Sequence, residues 1–342
     1  MHVEATGGRR DEFPVSRLRI LDERRNAMRR GVIVSLALAI GLLAACTGKS
    51  AQHSPAPQAS TPGGFPVIVH SGDGDVRIPS QPARILCLSA SATQMLYSIG
   101  AGSQVVGVDK YSAWPPNAPR TSFTGYESSA EDYLPLHPDL VILAANTGQL
   151  VAQLKKLNIP TLLLPPAATI ADAEAQITEL GQAAGQASGA VSTTAAINRD
   201  QARSVESAKG HGKGNTYYIE LDQTYYSATS KTFSGALFSA FGMQDIADKA
   251  SKAGSAYPQL SAEYVLTANP DYVFLADTVC CGQTAKTFAS RPGFATLRAV
   301  QMHHVIGVND SVASEWGPHS LESFLTLIAG VLTGGPLPSG TS

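Results

Sequence analysis

Two stretches of the sequence share one pattern of apolar and polar positions. Residues Ser129–Ala144 and Ser261–Ala276 align without a gap, and more than half of their positions are identical. Chance would give roughly one identity in a window of this length. The pattern therefore indicates a duplicated structural unit.

Each copy of this unit predicts a short helix followed by a buried strand. The serine can cap a helix, and the acids that follow it suit the positive end of the helix dipole. Leu134 and Leu266 are predicted to point these helices at a core. Pro138 and Pro270 end the helices, and the apolar runs after them predict parallel strands that are covered on both faces. Two such copies favour two similar α/β lobes.

The other apolar segments alternate between strand and helix patterns in both halves of the chain. In the first half, strands are predicted at 67–69, 84–88, 105–108, 141–143 and 161–164, with helices at 93–99 and 150–157. In the second half, strands are predicted at 216–221, 273–275 and 305–308, with a helix that ends at 241 and a closing helix at 321–332. Strands that alternate with helices predict parallel sheets.

The segment between the halves predicts helices alone. Thr169 and Asp172 resemble a capping box at the start of a helix that runs to about residue 184. A second helix is predicted from about 190 to 208, with Val191, Thr194 and Ile197 on its apolar stripe. Such a helix spans about 30 Å, the width of a small domain. The predicted fold class is α/β, with two similar lobes that have parallel central sheets and are joined by one long helix.

The start of the chain predicts export and lipidation. Met28 and two arginines precede an apolar run of about fourteen residues, which is short for a membrane span of roughly twenty. Leu-Ala-Ala-Cys at 43–46 resembles a bacterial lipoprotein box, so Cys46 is expected to carry lipid after residues 1–45 are removed. Met28 is the expected true start. The alternative is a short anchor that stays uncleaved.

The predicted organisation follows from these segments. Residues 1–45 form an N-terminal extension and lipoprotein signal peptide, and residues 46–64, which are rich in Ser, Pro and Gly, form a flexible linker. The expected domains are an N-terminal α/β lobe at 65–166, a helical linker at 167–214 and a C-terminal α/β lobe at 215–342.

Composition fits a globular protein and argues against nucleic acid as a partner. The 342 residues have 44% hydrophobic and 15% charged content, and the formal net charge is -2. The sequence has no basic stripe and no long block of charge, so it lacks the usual signs of nucleic-acid binding.

Several motifs in their order along the chain resemble one family. They are Arg84-Ile85 with the Ser/Ala loop after it, Ser112-Ala113-Trp114-Pro115-Pro116, Tyr257-Pro258-Gln259-Leu260-Ser261-Ala262-Glu263, and the two Pro-Asp strands. Together they resemble the substrate-binding lipoproteins of ABC importers for ferric siderophores, haem and cobalamin. The resemblance covers about residues 82–330. It implies two α/β lobes on a single helical backbone, with the ligand in a cleft between them.

The resemblance implies a ligand site on the loops that follow the strands, where open α/β sheets usually bind ligands. Aromatic rings there can stack on a flat or bulky ligand. The candidate ligand-binding residues are Trp114, Tyr126, Tyr225, Tyr226, Tyr257, Trp316 and His319. If the ligand were haem, His319 could bind its iron, although an ordinary loop histidine is the alternative.

The resemblance also implies a docking role for one glutamate on each lobe. In the family these glutamates bind arginines of the membrane permease, and Glu131 and Glu263 match those positions. The alternative is that both acids merely occupy first turns of helices. Arg84 is expected to be structural. Lys110, Lys231 and Arg291 lie near predicted loops and are expected to be solvated surface residues, with contact to a ligand carboxylate as the alternative.

Metal and cysteine chemistry add little to the prediction. The histidines show no pattern that would bind a free cation, so no metal site and no cofactor are predicted. Cys280 and Cys281 are adjacent, and a disulfide between them would be strained. Cys87 is expected to be buried in a strand. With three cysteines in the body, at least one is unpaired within the chain.

The expected function is therefore that of an extracytoplasmic lipoprotein that delivers a ligand to an ABC permease and its ATPase. It would be tethered at the outer face of the cytoplasmic membrane or in the periplasm by the lipid on Cys46. A ferric siderophore is the favoured ligand, with haem second and cobalamin third. An enzyme is not expected, because no nucleophile or phosphate-binding motif is present. A lipoprotein adaptor that holds a protein partner is the remaining alternative.

Overall fold

A computed structural model of the protein describes residues 64–127, 129–251 and 254–337. The predicted signal peptide, Cys46 and the linker up to residue 63 lie outside the described residues. Within the described ranges, no helix combines the length and apolar character that crossing a membrane requires.

The strands form a hairpin and two parallel sheets. The strands are β1 (Val67–Val69), β2 (Val76–Ile78), β3 (Ile85–Leu88), β4 (Val105–Val108), β5 (Leu140–Leu143), β6 (Thr161–Leu163), β7 (Thr216–Glu220), β8 (Gln244–Asp245), β9 (Tyr272–Leu275) and β10 (Val305–Gly307). β1 and β2 pair antiparallel. The sheet orders are β4-β3-β5-β6 and β10-β9-β7-β8.

Twelve α-helices cover and connect these sheets in the described part of the chain. They are α1 (Ala90–Ser98), α2 (Leu150–Lys156), α3 (Ile170–Ala184), α4 (Ala187–Ser207), α5 (Phe233–Ala240), α6 (Ala247–Ala250), α7 (Ala262–Ala268), α8 (Thr278–Cys281), α9 (Ala285–Ala289), α10 (Arg298–Gln301), α11 (Asp310–Ser314) and α12 (Pro318–Thr333). Lobe 1 here means the first sheet with its helices, and lobe 2 means the second sheet with α5 to α12.

The two sheets share one topology. In each of them the first strand of the lobe lies between the second and the third, and the fourth strand is at the edge beside the third. The two Pro-Asp strands of the repeat, β5 and β9, both take the third place. The two-lobed α/β fold is thereby confirmed. The residue boundaries predicted for the lobes and the linker stay predictions.

Apolar side chains cover both faces of each sheet. Ile85 and Ile142 belong to a core cluster that continues through α3, α4 and α12 into lobe 2 and includes Phe274. The opposite faces have their own clusters, one around Tyr133 in lobe 1 and one around Phe294 in lobe 2. The shared cluster joins the two sheets through the linking helices.

The linking segment is a pair of packed helices. The predicted capping box is present, because the Thr169 hydroxyl accepts a hydrogen bond from the backbone of Asp172 and the Asp172 carboxylate accepts one from the backbone of Thr169. α4 packs against α3 and α12. It begins earlier than predicted, and its buried face includes Thr193 and Ile197, whereas Val191 is 72% exposed. The predicted stripe was therefore wrong at Val191.

The first copy of the repeat also differs from its prediction. Ser129 caps a 3₁₀ helix, Ala130–Leu136, that contains Pro135. A 3₁₀ helix has 3.0 residues per turn, so it turns different side chains inward than an α-helix does. Tyr133 is fully buried, and Leu134 is 37% exposed, so the prediction that Leu134 points at the core was wrong.

Candidate functional site

The loops at the carboxyl ends of both sheets meet where the lobes touch. α1 follows β3 in lobe 1, and the segment from Glu315 to Ser320 follows β10 and α11 in lobe 2. The Ser91 hydroxyl accepts a hydrogen bond of 3.1 Å from the backbone N–H of Trp316. The carboxyl-end loops of the two sheets therefore lie against each other at the junction of the lobes, which is where open α/β sheets usually bind ligands.

One polar side chain of lobe 1 is inserted into lobe 2. The Gln94 amide donates to the Ser320 hydroxyl at 2.8 Å and to the Glu315 carboxylate, and its oxygen accepts from the Ser320 backbone at 3.0 Å. We call Gln94, Glu315 and Ser320 the interlobe clasp. Gly317 is required beside it, because a Cβ there would overlap the Gln94 side chain.

The acid of the interlobe clasp, Glu315, has a raised pKa, which favours its neutral form. Burial raises the pKa of Glu315 to about 7, hydrogen bonds from Ser311, Ser320 and Gln94 oppose the shift, and nearby Asp109 adds to it. Burial also raises the pKa of Asp109, although the backbone N–H groups of Tyr111 and Ser112 donate to its carboxylate. The junction between the lobes therefore contains a buried carboxyl group, Asp109, and a half-buried one, Glu315, and among the described residues neither forms a salt bridge.

The structure brings two of the predicted ligand-binding residues together across the junction. The indole of Trp114 stacks on the imidazole of His319, with ring centroids 5.0 Å apart and planes 14° apart. Trp114 lies on the loop after β4, and His319 lies at the start of α12. Their stack presents one half-buried aromatic surface made by both lobes.

Trp316 makes a different contact. Its indole N–H donates to the side-chain oxygen of Gln176 on α3 at 2.8 Å, and its ring packs against the shared core. This bond ties the start of α12 to the linking helices. Its predicted role in ligand binding remains a prediction.

The predicted tyrosines lie on loops of both lobes. Tyr126 is 64% exposed in lobe 1, and Tyr257 is 50% exposed in lobe 2. Tyr225 and Tyr226 are half-buried on the loop after β7. The backbone of Leu260 donates to Tyr225, so the loop after β7 and the loop before α7 run side by side. Exposed phenol rings are thus present on loops of both lobes.

A buried ion pair lies at the carboxyl end of β7. The two guanidinium nitrogens of Arg291 bond the two oxygens of Glu220 at 2.7 and 2.5 Å. The Glu220 side chain is fully buried, and that of Arg291 is 14% exposed. The expectation that Arg291 is a solvated surface residue was therefore wrong. Burial raises the pKa of Glu220, and the bonds from Arg291 oppose that shift.

A second buried acid follows β9. Asp277 is fully buried, and neither of its carboxylate oxygens has a hydrogen-bond partner. Burial raises its pKa to about 7, and the charge of Glu220 adds to the shift. The sequence carried a signal for both acids, because each stands at the end of an apolar strand, where a lone charge is unusual.

The cysteines are placed as follows. Cys280 and Cys281 are joined by a disulfide on α8, and both are exposed. Cys87 is free and fully buried in β3, and burial raises its pKa to about 12. Within the described ranges, no cluster of three His, Cys, Asp or Glu residues could hold a metal ion.

The two candidate docking glutamates occupy equivalent places. Glu131 and Glu263 are both exposed, and each lies in the first turn of a helix capped by a serine. No hydrogen bond or salt bridge to another described side chain engages either carboxylate, so both are open to solvent. Their role in docking remains a prediction.

Known proteins are similar to this chain over most of its length. YvrC, an uncharacterized ABC transporter substrate-binding lipoprotein of Bacillus subtilis, is 26% identical over 304 residues, which are 86% of this chain and 94% of that protein. A cobalamin-binding protein of Halobacterium salinarum is 31% identical over 254 residues, which are 71% of this chain and 67% of that protein. The periplasmic heme-binding protein RhuT of Roseiflexus sp. RS-1 in its apo form has a TM-score of 0.66 at 22% identity over 74% of this chain and 98% of its own, so it shares the fold.

The family comparison covers both sheets and the linking helices. The sequence profile described as Periplasmic binding protein matches residues 85–312, from β3 into α11. This range is more than half of the chain and includes both copies of the repeat. The resemblance seen in the sequence is thus confirmed, and the chain belongs to the periplasmic binding protein family.

Proposed function

We propose that this chain is the substrate-binding lipoprotein of an ABC importer and that its ligand is a corrinoid of the cobalamin type. The protein is not an enzyme in this proposal. It captures the ligand between its lobes and delivers it to the permease. The name of the YvrC relative supports the role in an ABC importer, and that of the Halobacterium salinarum relative supports cobalamin as the kind of ligand. The charges near the junction of the lobes support the same choice.

The observation that carries the choice is the pairing of Arg291. Haem brings two propionates and catecholate siderophores bring several negative charges, so both need free cations in the site. Arg291, at the carboxyl edge of the second sheet, is bound on both of its terminal guanidinium nitrogens by Glu220, so its charge is not free for a ligand. Buried Asp109 and Asp277 and half-buried Glu315 add carboxyl groups instead. This environment suits a ligand that is rich in amides and carries no strong negative charge.

The aromatic groups suit the same ligand. The Trp114–His319 stack and the exposed rings of Tyr126 and Tyr257 can cover a bulky ring system. These exposed rings therefore favour a small-molecule ligand over the alternative of a protein adaptor, in which they would have no small ligand to contact. Among siderophores, a neutral ferric hydroxamate is the second candidate, because it also brings no charge that needs a cation.

Titration with defined ligands tests this proposal. Cyanocobalamin, haemin, ferrichrome and ferric enterobactin would be added to the purified protein while tryptophan fluorescence is followed. The chain has two tryptophans, so Trp114→Phe and Trp316→Phe separate their signals. We expect saturable quenching by cyanocobalamin that Trp114→Phe largely removes and Trp316→Phe keeps. Binding of haemin or a ferric siderophore without any binding of cyanocobalamin would overturn the choice of ligand.

Attachment and docking complete the proposal. Cys46 is the proposed lipid carrier, which would hold the body at the outer face of the cytoplasmic membrane or in the periplasm. Metabolic labelling with palmitate should mark the wild type and leave Cys46→Ser unlabelled. Glu131 and Glu263 are the proposed contacts to permease arginines, since both are exposed at matching places on the two lobes.

A further inference from the structure

An exposed disulfide lies at the carboxyl end of the second sheet. We call Val279, Cys280 and Cys281 the disulfide turn. These residues belong to α8, which follows β9 and ends at Gly282. Val279 is 70% exposed, and both cysteines are exposed as well. These three consecutive residues present an apolar side chain and two polarisable sulfur atoms to solvent.

The disulfide turn is held rigidly by its neighbour α11. One oxygen of Asp310 accepts from the backbone N–H of Val279 at 2.9 Å, and the other accepts from that of Cys280 at 2.7 Å. The Thr278 hydroxyl donates to the backbone oxygen of Val308 at 2.9 Å. The backbone N–H groups of Val279 and Cys280 are therefore hydrogen-bonded by Asp310, while the side chains of the turn face solvent.

The position of α11 places the disulfide turn beside the cleft. α11 contacts α8 and leads directly into Glu315 of the interlobe clasp. The turn follows Asp277, whose charge interacts with Glu220 and Arg291 at the same edge of the sheet. It thus stands on the lobe 2 side of the edge where the two lobes meet.

We propose that the disulfide turn is a ligand-contacting surface of lobe 2, which takes an apolar ring face of the bound ligand. The disulfide holds two sulfur atoms in fixed places, so a contact with them costs little conformational entropy. Sulfur also packs well against flat, unsaturated rings. This inference rests on the proposed function and extends it to the lobe 2 wall, opposite the Trp114 loop of lobe 1.

Two variants with a matched control test the inference. Val279→Ser and Cys280→Ser/Cys281→Ser should each raise the Kd for cyanocobalamin about tenfold, as the loss of a buried apolar contact predicts. Val191→Ser is the control, because Val191 on α4 is 72% exposed and lies away from the carboxyl-end loops. A Kd that stays at the wild-type value in both test variants overturns the inference and leaves the proposed function intact.

A measurement on the wild type serves if a variant fails to fold. The phosphine TCEP would reduce the disulfide, with one water molecule supplying the two thiol hydrogens and the oxygen of the resulting phosphine oxide. Iodoacetamide would then alkylate the thiols for peptide mapping. Buried Cys87 is an internal control that should stay unlabelled in the native protein. Saturating cyanocobalamin should slow labelling of Cys280 and Cys281 at least tenfold, in proportion to occupancy. Equal labelling rates with and without cyanocobalamin, or thiols that are already free before reduction, contradict the inference. If the wild type binds none of the four ligands, both the proposed function and this inference are overturned.

Discussion

The two copies of the repeat have one topology and two different chemical environments. β5 and β9 hold the same place in their sheets, and Glu131 and Glu263 hold the same place before them. After β5 the chain continues with two alanines, whereas after β9 it continues with buried Asp277 and the disulfide turn. The exposed acids are alike in the two copies, whereas the strand ends that follow them differ. Under the proposed function, the symmetric acids would serve docking and the unlike strand ends would serve ligand recognition.

The largest expected effect breaks the symmetric part of this comparison. Glu131→Lys with Glu263→Lys should reduce ligand uptake in cells to background, because each lysine would face a permease arginine with like charge. Ligand affinity of the purified variant should equal that of the wild type. Uptake by each single variant should lie between that of the wild type and that of the double variant. Uptake at the wild-type level in the double variant would contradict the proposed docking role of these glutamates.

The next effect concerns the Glu220–Arg291 ion pair of lobe 2. Glu220 ends β7, whereas the equivalent strand of lobe 1, β3, ends at the apolar Leu88. Arg291→Met leaves the buried Glu220 without a cation, which should cost about 3–5 kcal/mol of the free energy of unfolding. Denaturant melts followed by circular dichroism would measure this cost. Glu220→Leu with Arg291→Leu is the control, and it should recover most of the loss. An equally unstable double variant would show that the pair is needed for more than mutual neutralisation.

The smallest effect of the series concerns Asp277. Its pKa is about 7 in the folded protein, above that of an exposed aspartate, so the folded state binds the extra proton between about pH 4 and pH 7. Stability should therefore fall as pH rises through that window and then level off. Asp277→Asn should remove the part of this slope that Asp277 contributes, while Glu315, whose pKa is also raised to about 7, keeps its own part. The variant should raise the free energy of unfolding at pH 8 by up to about 4 kcal/mol. Melting temperatures of both proteins at pH 5 and pH 8 would check this. A variant with the same slope as the wild type would assign the proton to another group, such as Glu315.

Local patterns in the sequence predicted most of the fold. The apolar runs after Pro138 and Pro270 are strands, and the capping box at Thr169 begins α3 as predicted. Errors arose where the local period changed. Pro135 and its neighbours form a 3₁₀ helix, so Leu134 turned outward.

The site was less predictable, because its contacts join residues that are far apart in the chain. Glu220 and Arg291 are 71 residues apart, and Gln94 and Ser320 are 226 apart. Nothing near Arg291 in the sequence indicates that its partner is at the end of β7. Trp114 and His319 were chosen separately from the family resemblance, and only the fold brings their rings into one stack.

Hydrogen exchange with and without cyanocobalamin tests most directly the claim that one ligand is held between two unlike walls. We expect slower exchange in both the loop 109–116 of lobe 1 and the segment 277–284 of lobe 2. The helices that carry Glu131 and Glu263 should be unchanged. Protection confined to one lobe, or protection on the outer surface of either sheet, would contradict the account.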